Sequence, residues 1–374
     1  LIAPTGAGKT LAGFLPTLAA LAEEPRPGLH TLYVSPLKAL ATDIARNLTG
    51  PVTEMALPIA IETRTGDTDA ATRRRQRETP PQILLTTPES LAVMLSMEDA
   101  GRTFAGLSTI VVDEIHALAG TKRGDQLALG LSRLATLAPG ARRVGLSATV
   151  PHRAPLVAFL SPTGRGEDVA VVEAPEGAAP DITVCLPDGP LPWSGHMGLL
   201  AAPAIYSMIR SARTAIVFVN TRAQAELVFQ ALWRLNDDAL PIALHHGSLA
   251  REQRAKVEAA MAEGRLKAVV ATSSLDLGID WGDVDLVIQV GAPKGVSRLM
   301  QRIGRANHRW DEPSRAILVP ANRFEVLECR CAIAGVAVRD LDGDPPPPGG
   351  LDVLAQHILG VVCSGPIHPD ALYA

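Results

Sequence analysis

The chain has 374 residues, a net charge of −4 and an apolar share of 47%. That length suits two domains and part of a third, each able to bury its own core. The charge excludes a uniformly basic nucleic-acid coat but not a local basic groove, and no apolar run is long and dry enough to span a bilayer. Cys185, Cys329, Cys331 and Cys363 form no C-x-x-C pair, which reads as a reduced, cytoplasmic protein without a zinc site. No leader is visible, and the chain opens at Leu1 inside a motif, which reads as a fragment.

The first stretch, Ala3-Pro4-Thr5-Gly6-Ala7-Gly8-Lys9-Thr10, has the spacing of a phosphate cradle, with Ala3 where a first glycine is usual. Its glycines let successive backbone N–H groups converge on phosphates. Lys9 then reaches the β- and γ-phosphates, and the Thr10 hydroxyl faces a Mg²⁺ ion. Leu11–Leu21 reads as the helix whose positive end meets that anion. Alone, the stretch also fits an Ala/Gly-rich loop opening an ordinary helix.

Short apolar runs follow at Thr31–Ser35, Ile59–Ile61, Ile83–Thr86, Thr109–Asp113 and Arg143–Ser147, with helix-length segments such as Pro88–Leu95 and Asp125–Leu137 between most of them. Alternation of this kind predicts a parallel sheet covered on both faces. In such sheets the functional loops lie at the carboxyl ends of the strands, where this sequence places Ser35, Thr86, Asp113 and Ser147. Prolines and glycines then crowd a connector, 163–197, with short strands expected at Val169–Val172 and Ile182–Leu186. Trp193 in the connector and Trp281 read as packing residues.

The alternation restarts with strands expected at Thr214–Val219, Pro241–His245, Lys267–Ala271, Val284–Val290 and Ala316–Val319. Helices are expected at Ala223–Leu235, Arg251–Glu263 and Arg323–Ala334. This second α/β unit carries no phosphate loop. A stiff proline-rich spacer, 344–350, precedes an amphipathic run at Leu351–Val362. The expected division is therefore 1–162, connector 163–197, 198–343, linker 344–350, and the start of a third domain at 351–374.

Chemistry gathers at two places. Asp113-Glu114-Ile115-His116 ends a predicted strand. Magnesium prefers carboxylates, waters and phosphates, so Asp113 suits the metal and Glu114 the attacking water. The bland alternative is an acidic strand end capping a helix. In the second unit, Gln301-Arg302-Ile303-Gly304-Arg305 offers a planar cation for a transferring phosphoryl group, Arg305 first and Arg302 second.

Together, Ala3–Thr10, Asp113–His116, Ser147-Ala148-Thr149, Ala271–Asp280 and Gln301–Arg305 resemble superfamily-2 helicases of the DExH type. Within these the chain is similar to the large helicase-related (Lhr-type) family, above all its ligase-associated branch. The residues carrying that likeness are Asp113–Ala119, Leu244–Leu249, Thr272–Gly278, Gln301–His308 and Asn322–Cys329. The resemblance runs along essentially the whole chain, with the motifs in the expected order.

The resemblance implies two tandem RecA-like parallel-sheet domains followed by the truncated start of a winged-helix domain. It implies ATP and Mg²⁺, with Gly278 and Asp280 near the ribose, and Gln301 and His116 communicating across a cleft. Ser147, Ala148 and Thr149 would couple hydrolysis to domain movement. Ser35, Pro36, Lys38, Thr65, Gly66, Thr87 and Pro88 match first-domain segments that follow a nucleic-acid backbone. Asn220, Arg222, His246, Gly247, Thr272 and Ser273 match those of the second. Hydroxyls and N–H groups at helix starts make such sequence-blind contacts, although Ser35, Thr87 and Thr221 also read as N-caps. The implied activity is a 3′-to-5′ helicase on single-stranded or forked DNA, opening duplexes or RNA:DNA hybrids in DNA repair beside a ligase or nuclease. An RNA-remodelling ATPase and an ATP-gated clamp that does not unwind are the competing readings. His308 stands where many relatives carry another arginine, and the element that reads adenine would precede Leu1.

Overall fold

A computed structural model of the chain describes all residues except 5–6, 149, 151, 176, 188, 196, 276–283, 307–311, 343–348 and 374. The chain divides into two compact units. One is built on Gly8–Glu173 with Leu1–Ile2 and the C-terminal helices, the other on Ala174–Gly343 with Ala3–Ala7.

Among the described residues, the first unit holds β1 (Thr31–Val34), β2 (Ile61–Arg64), β3 (Ile83–Thr86), β4 (Thr109–Val112) and β5 (Arg142–Gly145). They form a parallel sheet in the order β2-β3-β1-β4-β5. Its helices are α1 (Lys9–Glu23), α2 (Lys38–Glu54), α3 (Ala70–Glu78), α4 (Pro88–Leu95), α5 (Ala100–Phe104), α6 (Ile115–Leu118), α7 (Lys122–Leu137) and α8 (Ala154–Leu160). The strand β1 is buried at every position, because a strand covered on both faces has no solvent side to alternate with. Leu32 and Val34 pack towards Leu91 of α4 and Leu127 and Leu131 of α7. Tyr33, on the opposite face, packs with Phe14 of α1 and Leu40 and Ile44 of α2.

One close approach fixes how α6 meets α7. A Cβ on Gly124 would lie 2.0 Å from the Leu118 carbonyl oxygen and 2.7 Å from its carbon. Both atoms are backbone, so neither can swing aside. Thr121 caps α7 by accepting from the Gly124 N–H, which holds the two turns together. Gly124→Ala is therefore expected to destabilise the first unit by about 2–3 kcal/mol through overpacking. A melting temperature equal to that of the unaltered protein would show that the approach is not tight.

The second unit holds β6 (Asp181–Val184), β7 (Ala215–Phe218), β8 (Ile242–His245), β9 (Ala268–Ala271), β10 (Leu286–Val290) and β11 (Arg315–Val319). They too are parallel, in the order β6-β11-β10-β7-β9-β8. Its helices are α9 (Ala202–Ser211), α10 (Arg222–Arg234), α11 (Arg251–Ala262), α12 (Val296–Ile303) and α13 (Arg323–Val338). Isoleucines and valines of β7, β9 and β10 make a core with Ile205 and Ile209 of α9 and Val228 and Leu232 of α10.

The connector departs from expectation. Val169–Val172 forms no strand; the Val172 carbonyl accepts from the Ile2 N–H, beside a bridge between Ile2 and Glu173. The second expected strand exists as β6, but it pairs with β11 and belongs to the second sheet. Its alternating exposed and half-covered positions are those of an edge strand. Trp193 packs at the surface and not in a core: it is 65% exposed, against Phe324 and beneath the Arg323 guanidinium. The C-terminal α14 (Leu351–Cys363) and α15 (Pro369–Tyr373) group with the first unit. There α14 packs on α4 and α7, and Lys122 Nζ meets Asp352 Oδ2 at 2.6 Å.

Candidate active site and nucleic-acid interface

The first-unit site begins where α1 begins. Gly8 precedes the helix in the left-handed region (φ 75°), and no side chain caps the helix start. The first-turn N–H groups thus have no side-chain cap, and Lys9 and Thr10 are the first two helical residues. Ile2 bridges in parallel to Ser147, and the Ser147 N–H donates to the Leu1 carbonyl. The two residues that lead into the phosphate stretch therefore lie just beyond the carboxyl end of β5. Thr5 and Gly6 lie outside the described residues.

Asp113 follows β4 and is 5% exposed. Its Oδ2 accepts from the Tyr33 hydroxyl, and its Oδ1 accepts from the Glu114 backbone N–H at 2.8 Å. Burial first and the Glu114 charge second push the Asp113 carboxyl up to about 6, against the pull of the Tyr33 hydrogen bond and Lys9. A cation beside Asp113 would favour its charged form. Glu114 itself sits in the left-handed region (φ 46°, ψ 43°), a conformation rare for a residue with a side chain. Such strain collects where a side chain must be aimed.

From Glu114 a polar chain runs on to β5. His116 Nε2 lies 3.5 Å from Glu114 Oε2, and His116 Nδ1 lies 3.1 Å from Ser147 Oγ. The Ser147 hydroxyl also reaches the Ala148 carbonyl, at 2.8 Å. The structure thus brings Asp113, Glu114, His116, Ser147 and Ala148 together; Thr149 lies outside the described residues. The donor set suits magnesium, a hard cation that takes one or two carboxylates with waters and phosphate oxygens. The uncapped helix start suits the phosphates. Asp113 with Thr10 would hold the ion, and Lys9 with the α1 N–H groups the phosphates.

Sheet order separates this chemistry from the remaining candidates. Ser35, Thr65 and Thr87 follow β1, β2 and β3, which are adjacent. Ser35 is fully buried, and its hydroxyl donates to the Leu37 carbonyl at 2.8 Å. Pro36 is buried beside it. Lys38 stands at the exposed start of α2, 3.0 Å from Asp67. Gly66 is exposed, and the turn around it is braced from within. The Asp67 N–H donates to Thr65 Oγ1, and the Arg73 guanidinium donates to the carbonyls of Thr65 and Gly66. Thr87 makes no side-chain cap bond, and Pro88 opens α4. On α3, which carries Arg73, Arg75 pairs with Glu62 at 2.6 Å and Arg77 with Asp99 at 3.0 Å.

The second unit shows the same division. Asn220 and Arg222 follow β7, Thr272 and Ser273 follow β9, and His246 and Gly247 follow β8, again three neighbouring strands. Asn220 Nδ2 donates to the Ala292 carbonyl at 2.8 Å, and Arg222 reaches the Ser248 hydroxyl. His246 is 3% exposed and accepts from the Ser248 N–H. His245, which sequence reasoning passed over, ties two of these loops: its Nδ1 is 2.9 Å from Ser274 Oγ and its Nε2 is 3.0 Å from Glu258 Oε1.

Gln301 and Arg302 lie on α12, after β10, with Arg305 just beyond the helix. The two arginines differ in surroundings. Arg302 is 2% exposed, donates to Gln289 Oε1 at 2.5 Å, and lies 4.7 Å above the Phe218 ring. It is built into the second unit's interior, its guanidinium taken up by Gln289 and the Phe218 ring. Arg305 is also buried, and its N–H donates to the Arg302 carbonyl at 3.0 Å. Gly278, Asp280 and His308 lie outside the described residues.

Residues 1–156 match the family model of the DEAD/DEAH box helicase, and residues 201–310 that of the helicase conserved C-terminal domain. The Lhr helicase/probable uracil glycosylase of Mycolicibacterium smegmatis is 38% identical over all of this chain and 28% of its own length. The ATP-dependent helicase Lhr-Core protein 2 of Thermococcus barophilus is 38% identical over 96% of this chain and 44% of its own length. The chain thus spans less than half the length of these relatives. The solved structure of Mycobacterium smegmatis helicase Lhr bound to ssDNA and AMP-PNP superposes on the whole chain with a TM-score of 0.88 at 40% identity, covering 50% of that protein. Both units are RecA-like in the manner of these helicases, and no described helix is long and apolar enough to cross a membrane. The motifs, their order along two parallel sheets and the likeness over the full chain place it in the Lhr family of DEAD/DEAH-box helicases.

Proposed function

We propose that this chain is the ATP-driven motor of a DNA helicase. One observation carries the reading: in each unit the sheet order puts phosphoryl-transfer candidates and backbone-gripping candidates on different groups of neighbouring strand ends. Bound ATP with Mg²⁺ supplies the phosphoryl group and the counter-charge for its transfer. The chain's own residues do the rest. Lys9 and the α1 start hold phosphates, Thr10 and Asp113 face the cation, and Glu114 orients and deprotonates the attacking water. His116 and Ser147 pass the state of Glu114 to the Ser147–Thr149 segment. Arg305, with Gln301, answers the charge that develops on the phosphoryl group, and Gly278 and Asp280 serve the ribose side.

The loops holding Ser35, Lys38, Gly66 and Thr87, and those holding Asn220, Arg222, Gly247, Thr272 and Ser273, grip the strand's phosphates. That contact is sequence-blind. Support for DNA over RNA comes from the Mycobacterium smegmatis Lhr structure, which holds ssDNA. The family resemblance supports 3′-to-5′ movement, opening of duplex DNA or RNA:DNA hybrids, and repair work in the cytoplasm beside a ligase or nuclease. ATP hydrolysis by the chain is expected to rise at least tenfold with single-stranded DNA and much less with RNA of the same sequence. Equal stimulation by both would favour the RNA-remodelling reading. Hydrolysis with no displacement of a forked duplex, by this chain and by a longer form alike, would favour the clamp.

A further inference from the structure

We propose that Tyr33 is a positioning residue of the ATPase centre, its hydroxyl fixing the Asp113 carboxylate in the orientation that receives the magnesium ion. The proposal rests on the assignment of Asp113 to the metal.

Packing alone does not call for a tyrosine at this position. The strand β1 is buried throughout, and its neighbours Leu32 and Val34 are fully covered. Tyr33 is 0% exposed, so its O–H must find a partner inside the protein or remain unsatisfied. An aliphatic or phenylalanine side chain would fill the layer without that demand. The hydroxyl is directed at Asp113 Oδ2, a residue 80 positions away in sequence. The phenol O–H is the donor here and the carboxylate oxygen the acceptor.

The bond completes a clamp. With Oδ1 accepting from the Glu114 N–H at 2.8 Å and Oδ2 from Tyr33, both carboxylate oxygens are held and the group has one orientation. The ring does a second job. Its centroid lies 5.3 Å from that of Phe14, on the helix that begins with Lys9 and Thr10. One side chain therefore touches the helix bearing the hydroxyl ligand and the carboxylate ligand. It sets their separation, as outer groups around metal ligands commonly do.

Tyr33→Phe keeps the ring contact and removes only the hydroxyl. Binding of a fluorescent ATP analogue to the full chain, titrated with Mg²⁺, is expected to need about 10-fold more metal for half-saturation. Binding in EDTA should not change, and raising Mg²⁺ should restore much of kcat, which a purely structural defect would not allow. Asp113→Asn should shift the metal requirement at least as far, and adding Tyr33→Phe to it should shift it no further. An unshifted Tyr33→Phe beside a shifted Asp113→Asn would overturn the role of Tyr33 and leave the site intact. So would two shifts that simply add. If Asp113→Asn leaves the metal requirement unchanged, the site assignment falls and the proposal with it.

Discussion

Glu114→Gln is expected to lower steady-state ATP hydrolysis by about 10²–10⁴-fold, the range a positioned general base supplies, while leaving nucleotide and single-stranded DNA bound. The substitution is isosteric, so the left-handed backbone at φ 46° need not change. The Glu114 N–H still donates to Asp113 Oδ1, because that bond is main chain to side chain and does not involve the altered group. What is lost is the carboxylate: its capacity to take a proton from water, and the oxygen that stands 3.5 Å from His116 Nε2. The binding elements, Lys9 and the uncapped start of α1, are untouched. Single-turnover hydrolysis and equilibrium binding of an ATP analogue, measured on the same preparation, separate the two effects. Turnover within about threefold of the unaltered protein would remove Glu114 from the chemistry. Loss of nucleotide binding in step with turnover would mean that its main task is to hold the loop.

The sequence made the two-unit α/β plan and the acidic strand end readable, because short apolar runs bounded by polar residues are what doubly covered parallel strands require. Thr109–Val112 leading into Asp113 is such a case. Other features were hidden for physical reasons. Tyr33 sits in a run of buried residues, and only the fold brings its hydroxyl to Asp113. The left-handed turn at Glu114 carries no glycine to announce it. Pro- and Gly-rich composition marked 163–197 as a connector with a strand at Ile182–Leu186, but periodicity could not report that this strand, β6, joins the second sheet by pairing with β11. The spacer 344–350 suggested a separate module after it. The contacts of α14 with α4 and α7 depend on surfaces far away in sequence, which periodicity cannot report.

Arg302 and Arg305 present the same difficulty most sharply, since three residues apart on a helical stretch they look interchangeable. The contacts of Arg302 and the place of Arg305 in the motif predict opposite results. Arg302 is among the largest fully covered side chains, with Gln289 accepting from it at 2.5 Å and the Phe218 ring 4.7 Å below it. Arg302→Ala removes a charged hydrogen bond and a desolvated cation–π contact and leaves a void beneath α12. The expected cost to the second unit is about 3 kcal/mol, seen as a lower melting temperature. Arg302→Lys should recover little of it, because a lysine lacks the planar fork that serves Gln289 and the ring together. Arg305→Ala, by contrast, is expected to lose about 10³-fold in turnover, the scale of an arginine that answers transition-state charge, with ADP affinity nearly kept. The loss should appear in kcat and in kcat/KM alike, since the interaction is made as charge develops. Melting and turnover measured on both variants decide the matter. An Arg302→Ala protein that melts normally but cannot hydrolyse ATP would exchange the two roles, and an Arg305→Ala protein with normal turnover would leave the phosphoryl charge to be met by another residue.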